Sequence, residues 1–193
     1  MSTATQQKKT DKRLYWLLIT GMVLGVIYHY FLRPHTIHHT VYYRLITGYL
    51  PVSLGMIAWW GLLKSYYRGQ WLDCKTRSEK IFVIIFIFLQ LGVLSLFTFG
   101  LAANIITDII LKNKAEDEPV TTVSCRITEF RNMQKSDAVY FEFKEKTEKI
   151  EVSNQWIQAY QDESPDKYLL MLNVQETYLD VFLIKDCHVV PIE

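Results

Sequence analysis

The sequence predicts a membrane α-helical protein, with three transmembrane helices followed by a small all-β extramembrane domain at the C-terminal end. Three observations carry that prediction. Three apolar runs occupy the first part of the chain, and a bilayer core about 30 Å thick takes roughly 20 helical residues. Beyond residue 115 the pattern changes to alternating apolar and polar residues, the period of a strand. Charge divides at the same place. Up to Lys114 there are 13 Lys/Arg against 4 Asp/Glu, a surplus of nine positive charges, and from Ala115 onward 8 against 16, a surplus of eight negative ones.

A basic tail, residues 1–13, precedes the first span, 14–32. The run is long for a cleaved signal peptide and ends in Tyr28-His29-Tyr30-Phe31 with no small-residue cleavage site, so it reads as an uncleaved helix. The second span, 41–63, carries Arg44 near its start, where a long side chain can reach the interface. The third, 81–107, has no charged residue; at 1.5 Å per residue it would extend about 40 Å, which predicts tilt or projection beyond the hydrocarbon. Tyr15, Trp16, Tyr42, Tyr43, Trp59, Trp60, Tyr66 and Tyr67 cluster near span ends, where an aromatic belt is expected.

Basic residues are retained on the cytoplasmic side. The tail has four, Lys8, Lys9, Lys12 and Arg13, and the segment 64–80 has five, against Arg33, Arg44, Lys112 and Lys114 on the other side. This places the N-terminus in the cytoplasm and the C-terminal domain outside it. The chain has no Asn-x-Ser/Thr acceptor, which favours a bacterial inner membrane and periplasm over a secretory lumen.

Within the membrane region Gly21 and Gly25 form a G-x-x-x-G face that admits another backbone, inside the chain or from a second copy. Pro51 removes a backbone donor and predicts a kink in the second span. Gln90 is the strongly polar side chain well inside the third and predicts an interhelical hydrogen bond. His29, His35, His38 and His39 fall close together, but no acid or cysteine joins them, and interfacial packing is the expected reading over a metal site. Segment 64–80 mixes Tyr66, Tyr67 and Trp71 with five basic residues, the composition of a loop lying on anionic headgroups, so membrane lipids are expected partners.

A polar linker, 112–119, leads to the acidic domain, 120–193. Residues 120–130 alternate, with Val123, Cys125 and Ile127 on one face. A polar loop, 132–137, precedes a strand at 138–144, and a short strand follows at 149–152. Ser153 is placed to cap a short helix containing Trp156, Ile157 and Tyr160. Strands at 168–174 and 177–184 read as a hairpin through Gln175 and Glu176, with a last strand at 187–190. Three strands, a helix, then two or three strands resemble the order of an OB-type small barrel, with a sandwich as the alternative.

OB-type barrels commonly hold nucleic acid in basic grooves, but a surplus of eight negative charges repels phosphate, so no nucleic acid is expected. Cys125 and Cys187, near the first and last strands, are candidates for a disulfide in an oxidising compartment, with Cys74 alone on the reducing side. Catalysis has little support, because an adjacent Cys187-His188 pair on a strand points to opposite faces. No residue pattern implies a cofactor. The sequence therefore reads as a non-enzymatic integral membrane protein whose acidic domain binds a protein partner through Glu145, Glu148 and Glu151, as an accessory subunit of an envelope complex or an immunity or exclusion protein would. Homo-oligomerisation through the helices is also open. The alternatives are a ligand-sensing effector, with Trp156, Tyr160 and Tyr168 as pocket walls, and a small oligomeric channel.

Overall fold

The computed structural model describes residues 3–131, 137–160 and 163–192. It divides into two compact units, a helical one reaching Arg33 and taking in Arg44–Thr107, and a second made of Pro34–Tyr43 and Asp108–Glu193.

Three rods are long and apolar enough to cross a membrane: Lys9–Leu32, Val41–Asp73 and Arg77–Glu116. The first is α1 (Thr3–Ile27) continued by a π-turn, Tyr28–Leu32. The second joins α2 (Val41–Arg44), a π-turn at Leu45–Tyr49, and α3 (Leu50–Asp73). The third joins α4 (Arg77–Ser95), a π-turn at Leu96–Gly100, and α5 (Leu101–Glu116). Pro51 falls in the first turn of α3, immediately after the second π-turn, so the irregularity expected there is a one-residue widening of the helix.

Two boundaries differ from expectation. Segment 64–80 is not a surface loop: α3 continues to Asp73, and only Cys74–Thr76 separates it from α4. A capping box ends the turn, with Thr76 Oγ1 accepting from the Glu79 N–H at 3.2 Å and the Glu79 carboxylate accepting from the Thr76 N–H at 3.1 Å. Likewise Lys112–Glu116, expected as linker, is the last turn of α5. Long Lys, Glu and Arg side chains favour helix once an apolar segment has nucleated it, and polarity alone does not stop one. The helical unit closes on Leu14, Leu63, Tyr67, Ile87, Leu91 and Leu94, drawn from all three rods.

The second unit is a six-stranded, antiparallel, nearly closed barrel with one short helix. Its strands are β1 (Thr36–Ile37), β2 (Thr121–Arg131), β3 (Asp137–Phe143), β4 (Lys146–Val152), β5 (Tyr168–Glu176) and β6 (Phe182–Pro191), arranged β1-β6-β5-β2-β3-β4. Helix α6 (Asn154–Gln158) lies between β4 and β5, where the OB-type order places it. Ile157 is fully buried. Ser153 occupies the N-cap without a side-chain hydrogen bond, and only its carbonyl accepts from the Trp156 and Ile157 N–H groups. Of the expected polar loop 132–137, residues 132–136 lie outside the described residues.

The two last strands expected from sequence are one. β6 runs without a break to Pro191, and the hairpin to β5 turns through Thr177–Val181, not at Gln175-Glu176. Leu179 and Asp180 take left-handed conformations there, and Thr177 Oγ1 closes the turn on Val181 O at 2.7 Å. One extra residue, Lys185, is accommodated as a bulge opposite Asn173 and Val174.

β1 was not foreseen. It comes from the connection between the first two spans and pairs antiparallel with β6, Thr36 opposite Leu183 and Ile37 opposite Phe182. The Ile184 N–H extends the pairing to His35 O at 2.9 Å. Ile37 is 2% exposed and belongs to the barrel core with Phe141, Leu170, Leu172 and Val174. Two residues beyond Thr36 the chain turns, His38 at φ 60°, and its N–H donates to Glu148 Oε1 on β4 at 3.1 Å. β1 and β4 are the two edges of the sheet, so this connection occupies the seam of the barrel. An edge strand left open presents unpaired N–H and C=O groups, and the inserted segment pairs those of β6 at Phe182–Ile184.

Candidate functional site

Among the sequence-derived candidates, those that the fold gathers are Trp156, Tyr160 and Tyr168. Trp156 and Tyr160 have ring centroids 5.1 Å apart, and Tyr160 meets Tyr168 edge-on at 5.3 Å. Phe130 completes the group, stacked on Tyr160 at 5.6 Å with planes 17° apart, and 6.3 Å from Tyr168. All four are half-buried, and Phe130, Trp156 and Tyr168 rest their inner edges on the barrel core.

Phe130 was missed because strict alternation from Val123, Cys125 and Ile127 puts it on the solvent face. A bulge shifts the register of β2 against β3 between Ile127 and Glu129. That extra residue exchanges the faces, so Phe130 pairs opposite the fully buried Val139 while Glu129 stays outside. The sequence signal, weak as it is, is an aromatic residue at the far end of an alternating strand.

Several charges on the barrel surface are paired. Arg126 donates to Asp166 Oδ1 at 2.8 Å, Lys167 to Glu163 at 3.0 Å, and Arg131 makes a two-pronged contact with Glu129 at 2.7 and 2.8 Å. The Arg131 guanidinium holds the Glu129 carboxyl below its ordinary range. It also lies 4.7 Å from the centre of the Tyr140 ring. These pairs are exposed and contribute little to stability.

The acids expected to bind a partner, Glu145, Glu148 and Glu151, lie in different settings along the β3–β4 turn and β4. Glu145 sits in the β3–β4 turn at φ 63°. Glu148 is half-buried on the same side of β4 as Ile150 and is the acceptor for His38, whereas Glu151 points the other way, 3.6 Å from Lys149. Glu148 therefore holds the barrel seam, and its charge reversal would test the fold before it tested any partner.

The proposed Cys125–Cys187 disulfide is not made: both cysteines are free. Cys125 on β2 pairs opposite Leu170 of β5, and Cys187 on β6 pairs opposite Leu172 of the same β5. With β5 between them they lie two strand spacings apart, about 10 Å, beyond the reach of an S–S bond. Burial pushes the Cys125 thiol up to about 11, and burial together with Asp186 raises that of Cys187, so neither supplies a thiolate at neutral pH. His188 is exposed while Cys187 packs against the core, the opposed placement expected for neighbours on a strand.

The clustered histidines are engaged separately. His38 packs edge-on against Phe143 and Phe182, at 5.9 and 6.2 Å, and His39 stacks on Tyr43 at 4.6 Å while its Nε2 meets Thr36 Oγ1 at 2.8 Å. Among the described residues no group of three His, Cys, Asp or Glu is placed to hold a metal ion.

In the helical unit the glycine face packs within the chain. A Cβ added at Gly21 would lie 2.9 Å from Phe97 Cβ, whereas one at Gly25 would meet the Phe97 ring at 3.6 Å, ordinary contact. Gly55 admits Ser95 and Phe99 in the same way, and Ser95 Oγ donates to Val52 O at 2.6 Å. In an α-helical register Thr47 O would look to residue 51, and Pro51 has no N–H; Asn104 Nδ2 donates to that carbonyl at 3.3 Å. Trp59 Nε1 donates to Thr98 Oγ1 at 3.1 Å. Asn104, Ser95 and Trp59 thus make interhelical bonds, and among the described residues Gln90 Oε1 is buried without a partner.

Among the described residues of the barrel, the aromatic group has the composition of a recognition surface; nothing in its geometry supplies a nucleophile with an adjacent base. No family model, curated protein or solved structure matches this chain.

Proposed function

We propose that this chain is a non-enzymatic integral protein of a bacterial inner membrane, with its N-terminus cytoplasmic, whose periplasmic barrel binds a protein partner. The observation that carries the reading is the half-buried cluster of Phe130, Trp156, Tyr160 and Tyr168. Large rings seated on a rigid sheet and open on one side are the residue types that dominate interface energetics, because they bring contact area with few rotors to freeze. The surrounding acidic surface, with its surplus of eight negative charges beyond Lys114, steers a basic partner and disfavours nucleic acid.

A test is photo-cross-linking in native membranes from Gln155, which is exposed on α6 beside Trp156. The expected product is a discrete heteromeric adduct, reduced at least tenfold by Tyr160→Ala with hydrogen exchange of β5 unchanged. Cross-links confined to a second copy of this chain would replace the heteromeric partner with a homo-oligomer, and none at all would remove the binding reading.

One observation favours a sensor as the second reading. The chain passes between the helical unit and the barrel unit three times, at residues 33–34, 43–44 and 107–108. A ligand that reordered β1 would act directly on the connection between two spans.

A further inference from the structure

Between α3 and α4, close to their short connection, lies a groove of about 590 Å³. On α3 its wall is Trp60, Lys64, Tyr67, Arg68 and Trp71, spaced three and four residues apart and so on one helix face. On α4 it is Ile84, Ile87 and Phe88, which share a face by the same spacing. The two ends differ in chemistry. Lys64 and Arg68 stand at and beyond the limit of the apolar span, with Ser65 between them, while Trp60, 50% exposed, and Phe88, 62% exposed, open onto the hydrocarbon depth. Among the described residues neither Lys64 nor Arg68 pairs with a carboxylate. Outside the lining, Lys80 Nζ lies 5.5 Å from the Trp71 ring.

An aromatic group backs the groove. Tyr67, one of the lining residues, is 1% exposed. Its ring is held by Trp60 at 6.1 Å and Tyr66 at 5.3 Å.

We propose that this groove binds one anionic glycerophospholipid, its phosphate between Lys64 and Arg68 and one acyl chain laid along Trp60, Ile84 and Phe88. Two unpaired cations select charge, the apolar wall selects an amphiphile over a free anion, and the tryptophans bracket the glycerol level where such rings sit.

Native mass spectrometry of the detergent-purified full chain tests this, using phosphatidylglycerol and phosphatidylcholine with identical acyl chains. Phosphatidylglycerol should be retained roughly tenfold more strongly, since each basic residue near an anionic lipid surface contributes a several-fold gain. Lys64→Gln with Arg68→Gln should abolish the difference, and the charge-conserving Lys64→Arg with Arg68→Lys should keep it. Lys75→Gln with Arg77→Gln removes as much charge outside the groove and should leave retention unchanged. Equal retention of the two lipids overturns the site, as does an equal loss in the Lys75/Arg77 pair, which would mean diffuse attraction. Displacement by millimolar inorganic phosphate would make it an anion site and overturn the lipid assignment.

Discussion

At the residue scale, His38 shows how one side chain comes to matter through its surroundings. It is 9% exposed, its Nδ1 is buried without a partner among the described residues, and its ring packs edge-on against both Phe143 and Phe182. Burial, then Lys146 and Lys144, lower its pKa below the ordinary value, against the smaller opposing pull of Glu148 and Asp180. The folded protein therefore refuses a proton that the unfolded chain accepts. The sign follows: stability is fully present above about pH 6.5, the unfolded value, and falls as pH drops below it, by at most about 1.4 kcal/mol per pH unit from this group. Melting of the barrel should thus be flat from pH 7 to 8 and decline toward pH 5.5, with His38→Phe losing that part of the decline. A variant whose profile matched the parent would show that His38 titrates normally.

At the element scale, β1 and the helix contacts give two expectations that sequence position would not suggest. Ile37 lies between two membrane spans, yet it fills the barrel core, so Ile37→Ala should cost about 2–4 kcal/mol of barrel stability. Accelerated hydrogen exchange in β6, the partner of β1, is the readout; unchanged exchange would mean that the strand is dispensable. In the first rod the two glycines are unequal. Gly21→Ala forces its Cβ toward Phe97 Cβ and should cost about 1–3 kcal/mol, whereas Gly25→Ala meets only ordinary contact and should be near neutral. Thermal inactivation of the purified protein in detergent would rank them, and equal costs would contradict the packing.

At the scale of the whole molecule, the insertion of β1 puts a constraint on topology that is independent of charge counting. The connection after the first span and the chain after the third belong to one compact unit, so both leave the membrane on the same face. An odd number of crossings separates that face from the N-terminus. Which face it is rests on the basic surplus of the tail and the α3–α4 end, which predicts the periplasm. Thr147→Cys on the exposed side of β4, in a Cys187→Ser background, should therefore react with a membrane-impermeant thiol reagent in intact spheroplasts while Cys74 does not. Reaction only after lysis would invert the orientation and place the binding surface in the cytoplasm.

Much of this protein is written in local pattern. Unbroken hydropathy specifies the three spans, because the bilayer rewards length and apolarity residue by residue. Alternation specifies β2, β3 and β5, because a half-buried strand repeats every two residues. The grouping of Trp156, Tyr160 and Tyr168 was also legible, through helical spacing and proximity to a strand start. What sequence did not show depends on pairing between distant residues. A two-residue strand such as Thr36–Ile37 has no period to detect, and it is a strand only because β6, nearly 150 residues later, offers an edge. The bulge that turns Phe130 inward, the β5 strand that separates Cys125 from Cys187, and the capture of Glu148 by His38 are equally non-local. Hydrophobicity along the chain determined which segments enter the membrane and which fold beside it; only tertiary hydrogen bonding and packing decided which residues meet, since register and closure are properties of pairs of segments and not of either one alone.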